Sequence, residues 1–335
     1  MIFSIIQQIK NRKKKKGMKS LKLLFIKTKM SSKSTFSLAN TTSHQLSHPT
    51  SGAIHDAIVV ERALQAMDID VDDFFSSCCS VPRQNPKKTI PFSKHGMDAL
   101  MVTGDHPALS YRGNALKRHK MWLQTNYEQG VLKYGYTGWQ HAVAPATRDI
   151  GAVPVIANLM ERMNAELPTM LKEMNMPSSS KQFNHAIFTR YEDEHDFIGH
   201  HADKERDFEE GSYFVVFKFG AERIFEFTTN EGEVFWKRPL PAGTMLIVRA
   251  KSEGGECANS RVKHGVPRAL EPCGPSGSVV FRAIRTVVPW EEAIKNVAAA
   301  SKSKLKRRAA KAASRRSGST GSTGSKKQKS SPSRN

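Results

Sequence analysis

From residue 183 onward the chain reads as a string of short strands, and this pattern limits the fold more than any other feature. The runs Phe183 to Tyr191, Ser212 to Phe219, Arg223 to Thr228, Gly232 to Trp236, Thr244 to Ala250 and Ser278 to Thr286 are β-branched or aromatic, with Gly, Pro and Asn turn signals between them. Six such runs in close succession indicate an antiparallel sandwich or jelly roll. Upstream, Gly151 to Met174 places Val155, Leu159, Met163 and Leu167 at helical spacing, which predicts an amphipathic helix with its methionines in the core. The expected class is α+β, with a helical N-terminal half packed on the β-sandwich. Residues 56 to 100 suggest a mixture of loop and helix.

Charge divides the chain further. Residues 1 to 55 and 296 to 335 carry 11 and 12 of the 52 Lys and Arg residues and no acid, leaving 29 basic against all 31 acidic residues between them. The net charge of +21 therefore belongs to two arms around a near-neutral core. The arms contain KNRKKKK (Lys10 to Lys16) and KSKLKRRAAKAASRR (Lys302 to Arg316), and their composition predicts disorder. The expected organisation is a basic arm over 1–55, an extension over 56–105, a catalytic domain over 106–290 and a basic tail over 291–335. Within the domain, 106–180 would hold a lid and supporting helix and 181–290 the jelly roll. Solvated polycations, nuclear import, organelle transit and phosphate binding all suit such arms. No run approaches the ~20 apolar residues of a membrane helix, so no membrane partner is expected. Four cysteines, two of them adjacent at Cys78 and Cys79, give neither a disulfide framework nor a CxxC zinc knuckle.

The chemistry-bearing stretch is FIGHHADKE (Phe197 to Glu205), where His201 and Asp203 form a His-x-Asp pair beyond a predicted strand. Extended backbone sends side chains i and i+2 to one side, so both can reach one metal ion. His264, in RVKHGVPR, is a third ligand if the intervening strands fold back across the sandwich. Two histidines and a carboxylate with three open positions form the facial triad of non-haem Fe(II) oxygenases. Arg282, in SVVFRAIR, lies in an apolar run where an unpaired charge is costly, and so suits the distal carboxylate of a 2-oxoglutarate-type cosubstrate. A surface salt bridge is its other reading, and Arg285 reads as exposed. His200 lacks a carboxylate at i+2 and reads as a neighbour of the site; His185 and His195 read as structural or exposed.

In order and spacing, the segments 183–205, 211–227, RPLPAGTMLIV (238–248), HGVP (264–267) and GSVVFR (277–282) resemble the AlkB family, nearest to its DNA-repair branch. That resemblance implies a double-stranded β-helix with an N-terminal helical lid, and Fe(II), 2-oxoglutarate and O2 as cofactors. It implies His201, Asp203 and His264 as iron ligands and Tyr191 as a hydrogen-bond donor to the cosubstrate. Arg282 falls on the second of two arginines that hold the cosubstrate, while Ser276 stands where the first is expected and Thr189 where asparagine is usual. YGYTG (Tyr134 to Gly138) resembles the nucleotide-recognition motif, placing Tyr136 on a flipped base and Glu205 at its edge. Arg112 opens RGNALKRHK (Arg112 to Lys120), a basic cluster suited to phosphate contact or to a solvated helix face.

The expected function is oxidative dealkylation of N-alkylated bases in nucleic acid, of DNA repair type. DNA is favoured over RNA, the group leaves as an aldehyde, and the enzyme is a monomer. The expected compartment is the nucleus, with mitochondrion or plastid as the alternative. Two other functions fit the sequence: an oxygenase acting on protein side chains, and a catalytically weak relative that binds nucleic acid through its arms.

Overall fold

Side-chain alternation along the strands sorts the core into two layers, one on each face of a large sheet. The computed structural model describes residues 36, 38–50, 52–80, 110–111, 114–115, 118–133 and 147–293. Arg112, Tyr136, residues 1–35 of the N-terminal arm and the tail beyond 293 lie outside the described residues.

In chain order the elements are β1 (Thr42–His48), β2 (Gly52–Glu61), α1 (Ala63–Ala66), α2 (Val71–Cys79), the short β3 (Ser110–Tyr111) and β4 (Asn114–Ala115), β5 (His119–Gln124), β6 (Val131–Leu132) and β7 (Thr147–Asp149). There follow α3 (Pro154–Glu173), β8 (His185–Tyr191), β9 (Ile198–His201), β10 (Tyr213–Gly220), β11 (Arg223–Thr229), β12 (Val234–Leu240) and β13 (Met245–Arg249). The last are α4 (Ala258–Arg261), β14 (Val262–Val266), β15 (Ser276–Arg282) and β16 (Val287–Val288).

The strands build a major sheet, β1-β2-β13-β10-β15-β8-β5-β7, and a minor sheet, β12-β11-β14-β9. From β8 to β15 the chain passes back and forth between the two, antiparallel throughout, which is the double-stranded β-helix. β15 lies between β10 and β8, with Val280 opposite Val216 on one side and Ile187 on the other. Val279 and Phe281 point from β15 to the outer layer, where they join Leu159, Met163 and Leu167 of α3 and Phe74 of α2. Val280 packs against the inner layer between the sheets with Val216, Ile187 and Phe227. Burial on both faces explains why β8, β10 and β15 read as continuous apolar runs. The minor sheet faces water on its outer side, and β12 accordingly exposes Lys237 and Arg238.

α3 starts with proline at its first helical position, where the missing N–H costs nothing, and buries Ile156, Leu159, Met160, Met163, Leu167, Met170 and Leu171 along one stripe. α2 is capped by Asp70, whose carboxylate accepts from the N–H groups of Asp72 and Asp73 at 3.0 and 2.8 Å. Among the described residues no helix is long and apolar enough to cross a membrane.

Two expectations change. The basic arm expected through residue 55 does not hold at its C-terminal end, because β1 and β2 form a hairpin and β2 pairs with β13, Val60 opposite Met245 and Ala57 opposite Val248. Nor are the described residues of the N-terminal half mainly helical: beside α1 and α2, the strands β1, β2, β5 and β7 widen the major sheet. The cause is local. AIVV (Ala57 to Val60) is β-branched enough to add to an open sheet edge, and sheet pairing outweighs the charge bias of the sequence preceding it.

Candidate metal centre and its cavity

The minor sheet supplies the two metal-binding histidines through an irregularity in β9, and Asp203 follows just beyond that strand. His264 on β14 lies opposite His201, and Val266 lies opposite Ile198, so two steps on β14 match three on β9. This bulge lets Ile198 and His201 both face the space between the sheets and turns the intervening His200 away. His200 Nε2 meets the Glu226 carboxylate at 2.9 Å. Gly265 makes room for it, since a Cβ there would stand 2.9 Å from His200 Cδ2.

His201, Asp203 and His264 bring one ligand atom each to within 4.8 Å of one another. His201 Nδ1–H donates to the Gly199 carbonyl at 2.9 Å, which leaves the Nε2 lone pair for a metal and fixes the tautomer. That Nε2 is 4.0 Å from Asp203 Oδ1. Burial pushes the His264 pKa down to about 3, and nearby His201 adds to this while Asp203 opposes it. Burial also lowers that of His201, against the pull of Asp203. Both rings are thus neutral at physiological pH, the form that binds metal.

Asp203 is held from two sides. Arg282 donates to its Oδ2 from Nε at 2.9 Å and from Nη2 at 2.8 Å, which leaves Oδ1 turned toward the histidines. Asn259, buried in α4, accepts from the Asp203 N–H and donates to the Asp203 carbonyl, both at 2.9 Å, and reaches the Ala250 carbonyl at 3.2 Å. α4 is anchored in turn by Asp56 of β2, which accepts from the Ala258 N–H at 2.8 Å and from Arg261 at 2.9 Å.

Beneath the triad the inner face of the major sheet forms a cavity floor. Its middle row runs across four strands: Lys218 opposite Ser278, Ser278 opposite Thr189, and Thr189 opposite Lys120. All four line the cavity, together with Tyr191 and Arg282. Lys120 lies at the triad end: its pKa falls well below the usual lysine value through burial, then through Arg118 and Arg282, with Asp203 opposing. Burial and the neighbouring Arg223 bring Lys218 down to about 7. His185, opposite Arg282 on β8, is buried and falls to about 3, first through burial and then through Arg282.

Two neutral imidazoles and one carboxylate oxygen on a common face, with the remaining positions open, fit iron(II). Iron(II), 2-oxoglutarate and O2 are the cofactor set this geometry accommodates, the cations of the floor matching an anionic cosubstrate. The structure therefore gathers His201, Asp203, His264, Arg282, Tyr191 and Thr189 around one space. Arg282 sits against the metal-binding carboxylate at the triad end of the floor. Glu205 is not on the cavity wall; it lies half-buried in the turn Glu205–Asp207, its carboxyl pKa raised by burial against the opposing charge of Lys251. Arg285 is exposed, and Ser276 is buried with an Oγ that has no hydrogen-bond partner. Sequence reasoning missed Lys218, Asn259 and Asp56, of which only Lys218 left a signal, as the one charge inside YFVVFKFG; Lys120, the last residue of the basic cluster, is buried on β5 in the cavity floor instead of on a solvated helix face.

No protein-family model matches the chain, and no curated protein matches it. Among solved structures it is similar to an oxidoreductase of the 2OG-Fe(II) oxygenase family from Burkholderia pseudomallei, at 12% identity over 65% of this chain and 79% of that one, TM-score 0.38. It is similar to OsALKBH1 at 16% identity over 68% of this chain and 97% of that one, TM-score 0.38. A prolyl-4-hydroxylase from Pseudomonas putida matches at 13% identity over 51% and 73%, TM-score 0.30.

Proposed function

We propose that this protein is an Fe(II)/2-oxoglutarate-dependent dioxygenase that removes alkyl groups from the ring nitrogens of nucleic-acid bases, with DNA favoured over RNA. The observation that carries the oxygenase reading is the convergence of His201, Asp203 and His264 above a cation-bearing cavity. His201 and His264 would hold the ion through neutral ring nitrogens, and Asp203 through Oδ1 while Arg282 keeps Oδ2. Bound iron supplies the activation of O2, coupled to loss of CO2 from 2-oxoglutarate, that oxidises the alkyl carbon. Val280 and Ile187 add apolar surface to the floor between its polar side chains. His201 keeps 34% of its side chain exposed while Asp203 keeps 3%, so the substrate would approach over the His201 ring.

Support for a nucleic-acid substrate comes from the sequence: the YGYTG motif with Tyr136, Arg112 and Lys117 of the basic cluster, and the two basic arms, which also suit a nuclear location. A base alkylated on its pairing edge pairs poorly and costs less to extrude, which gives selectivity without sequence contacts.

The test is incubation of the full chain with Fe(II), 2-oxoglutarate, ascorbate and N-methylated oligonucleotides, with succinate and oligonucleotide mass as readouts. Succinate coupled to demethylated product is expected. Succinate without product on any methylated oligonucleotide would overturn the nucleic-acid substrate in favour of protein side chains, and failure to form succinate would overturn the oxygenase reading.

A further inference from the structure

Lys218 is a buried amine with nothing to hold, and an anion beside it would keep it charged. It is 1% exposed, lines the cavity, and its Nζ has no hydrogen-bond partner. The Tyr191 ring lies 5.6 Å from Nζ, and Arg223, 5.5 Å from the same ring, adds positive charge to that corner. Arg223 itself is occupied by the carbonyls of Asp193, Asp196 and Pro267. An unpaired ammonium in an interior is costly unless a ligand compensates it. A second orphan shares this corner: Ser276 Oγ is buried without a partner, on the same face of β15 as Ser278, which lies opposite Lys218.

Arg282, by contrast, is committed to Asp203, four residues along β15 from Ser278, about 13 Å at the strand rise. The floor therefore has the candidate metal site at one end and the unpartnered Lys218 amine at the other. We propose that Lys218 anchors the distal carboxylate of a dicarboxylate cosubstrate whose other end binds the metal, with the Ser276 hydroxyl as a further donor. This rests on the oxygenase reading and names the group that recognises its cosubstrate. The charge missing at Ser276 is supplied from the neighbouring strand, so the small side chain at 276 is the space the carboxylate fills.

The experiment compares the full-length protein with its Lys218→Met variant, each loaded with Mn(II) under anaerobic conditions and titrated calorimetrically. Two probes are used: 2-oxoglutarate, and 2-oxovalerate, which has the same chelating end and carbon chain but no distal carboxylate. The wild type is expected to prefer 2-oxoglutarate by about tenfold to a hundredfold, the worth of one charge-assisted hydrogen bond, and the variant to bind the two within about threefold. Mn(II) affinity should be unchanged, and the metal-free variant should melt at or above the wild-type temperature, because methionine removes an uncompensated charge at similar volume. A variant that keeps the wild-type preference overturns the assignment of Lys218 and leaves the oxygenase reading standing. A wild type that binds Mn(II) but neither keto acid overturns both.

Discussion

Replacing Asn259 with alanine tests whether the metal centre depends on a residue that touches no metal. Asn259 is 1% exposed and satisfies three backbone groups, the N–H and carbonyl of Asp203 and the carbonyl of Ala250. Alanine leaves all three without a partner in a space the surrounding core closes. At about 1 kcal/mol for each group, the loss is about 3 kcal/mol. For a domain of this size that corresponds to a fall of about 6–12 °C in melting temperature. The effect on the ion should be separable. Asp203 carries the only carboxylate of the triad, and freeing its backbone lets Oδ1 drift from the histidines, so metal affinity should fall about tenfold to a hundredfold. Visible absorbance during Co(II) titration reads the affinity, and calorimetry of the metal-free protein reads the stability. Asn259→Asp keeps the acceptor for the Asp203 N–H but sets an anion against two carbonyls, and should do no better than alanine. An Asn259→Ala protein that binds Co(II) within about twofold of wild type would refute the reasoning, whatever its melting temperature.

The same titration separates the adjacent histidines: His201→Ala should lose Co(II) binding, whereas His200→Ala, which faces Glu226, should retain it. Arg282→Met should destabilise the metal-free protein by about 3–5 kcal/mol by removing both guanidinium bonds to the buried Asp203 carboxylate, and saturating Co(II) should restore much of the loss in denaturant melts. His185 and His264 make the metal-free fold acid-sensitive. Their folded pKa values are depressed to about 3, so the unfolded chain takes up protons below its ordinary value near 6.5 while the folded one does not. Their effect is absent above pH 6.5 and costs stability progressively down to about pH 3, so the urea midpoint at pH 5 should lie below that at pH 7.5.

Strand rhythm made the jelly roll legible, because the runs that hold β8, β10, β11, β12, β13 and β15 are separated by Gly, Pro and Asn turn signals, whereas the short β9 and β14 left no such run. The hairpin β1–β2 was hidden by its neighbourhood, since a stretch following eleven basic residues with no acid invites a reading of disorder although AIVV has the makings of a strand. The His-x-Asp spacing pointed to His201 and Asp203, but the residue count alone does not say which of two adjacent histidines faces inward. A one-residue slip reverses every side chain, and only the bulge opposite β14 settles it. Asn259 lay beyond reach for another reason. Its bonds to Asp203 span 56 residues and go to backbone groups, which leave no mark on residue type.

The bond from Asp56 to α4 closes over 202 residues. A ribosome adding about 5–20 residues per second exposes β2 about 10–40 s before α4 exists. During that interval β1 and β2 are at most a two-stranded hairpin, which is marginal in water by itself. Its sheet neighbour β13 and its polar partner α4 arrive late, and His264 follows only a few residues after. β1, β2 and the last metal ligand thus find their places in the same interval of synthesis, so a nascent chain cannot capture its metal before the β1–β2 edge can also be secured.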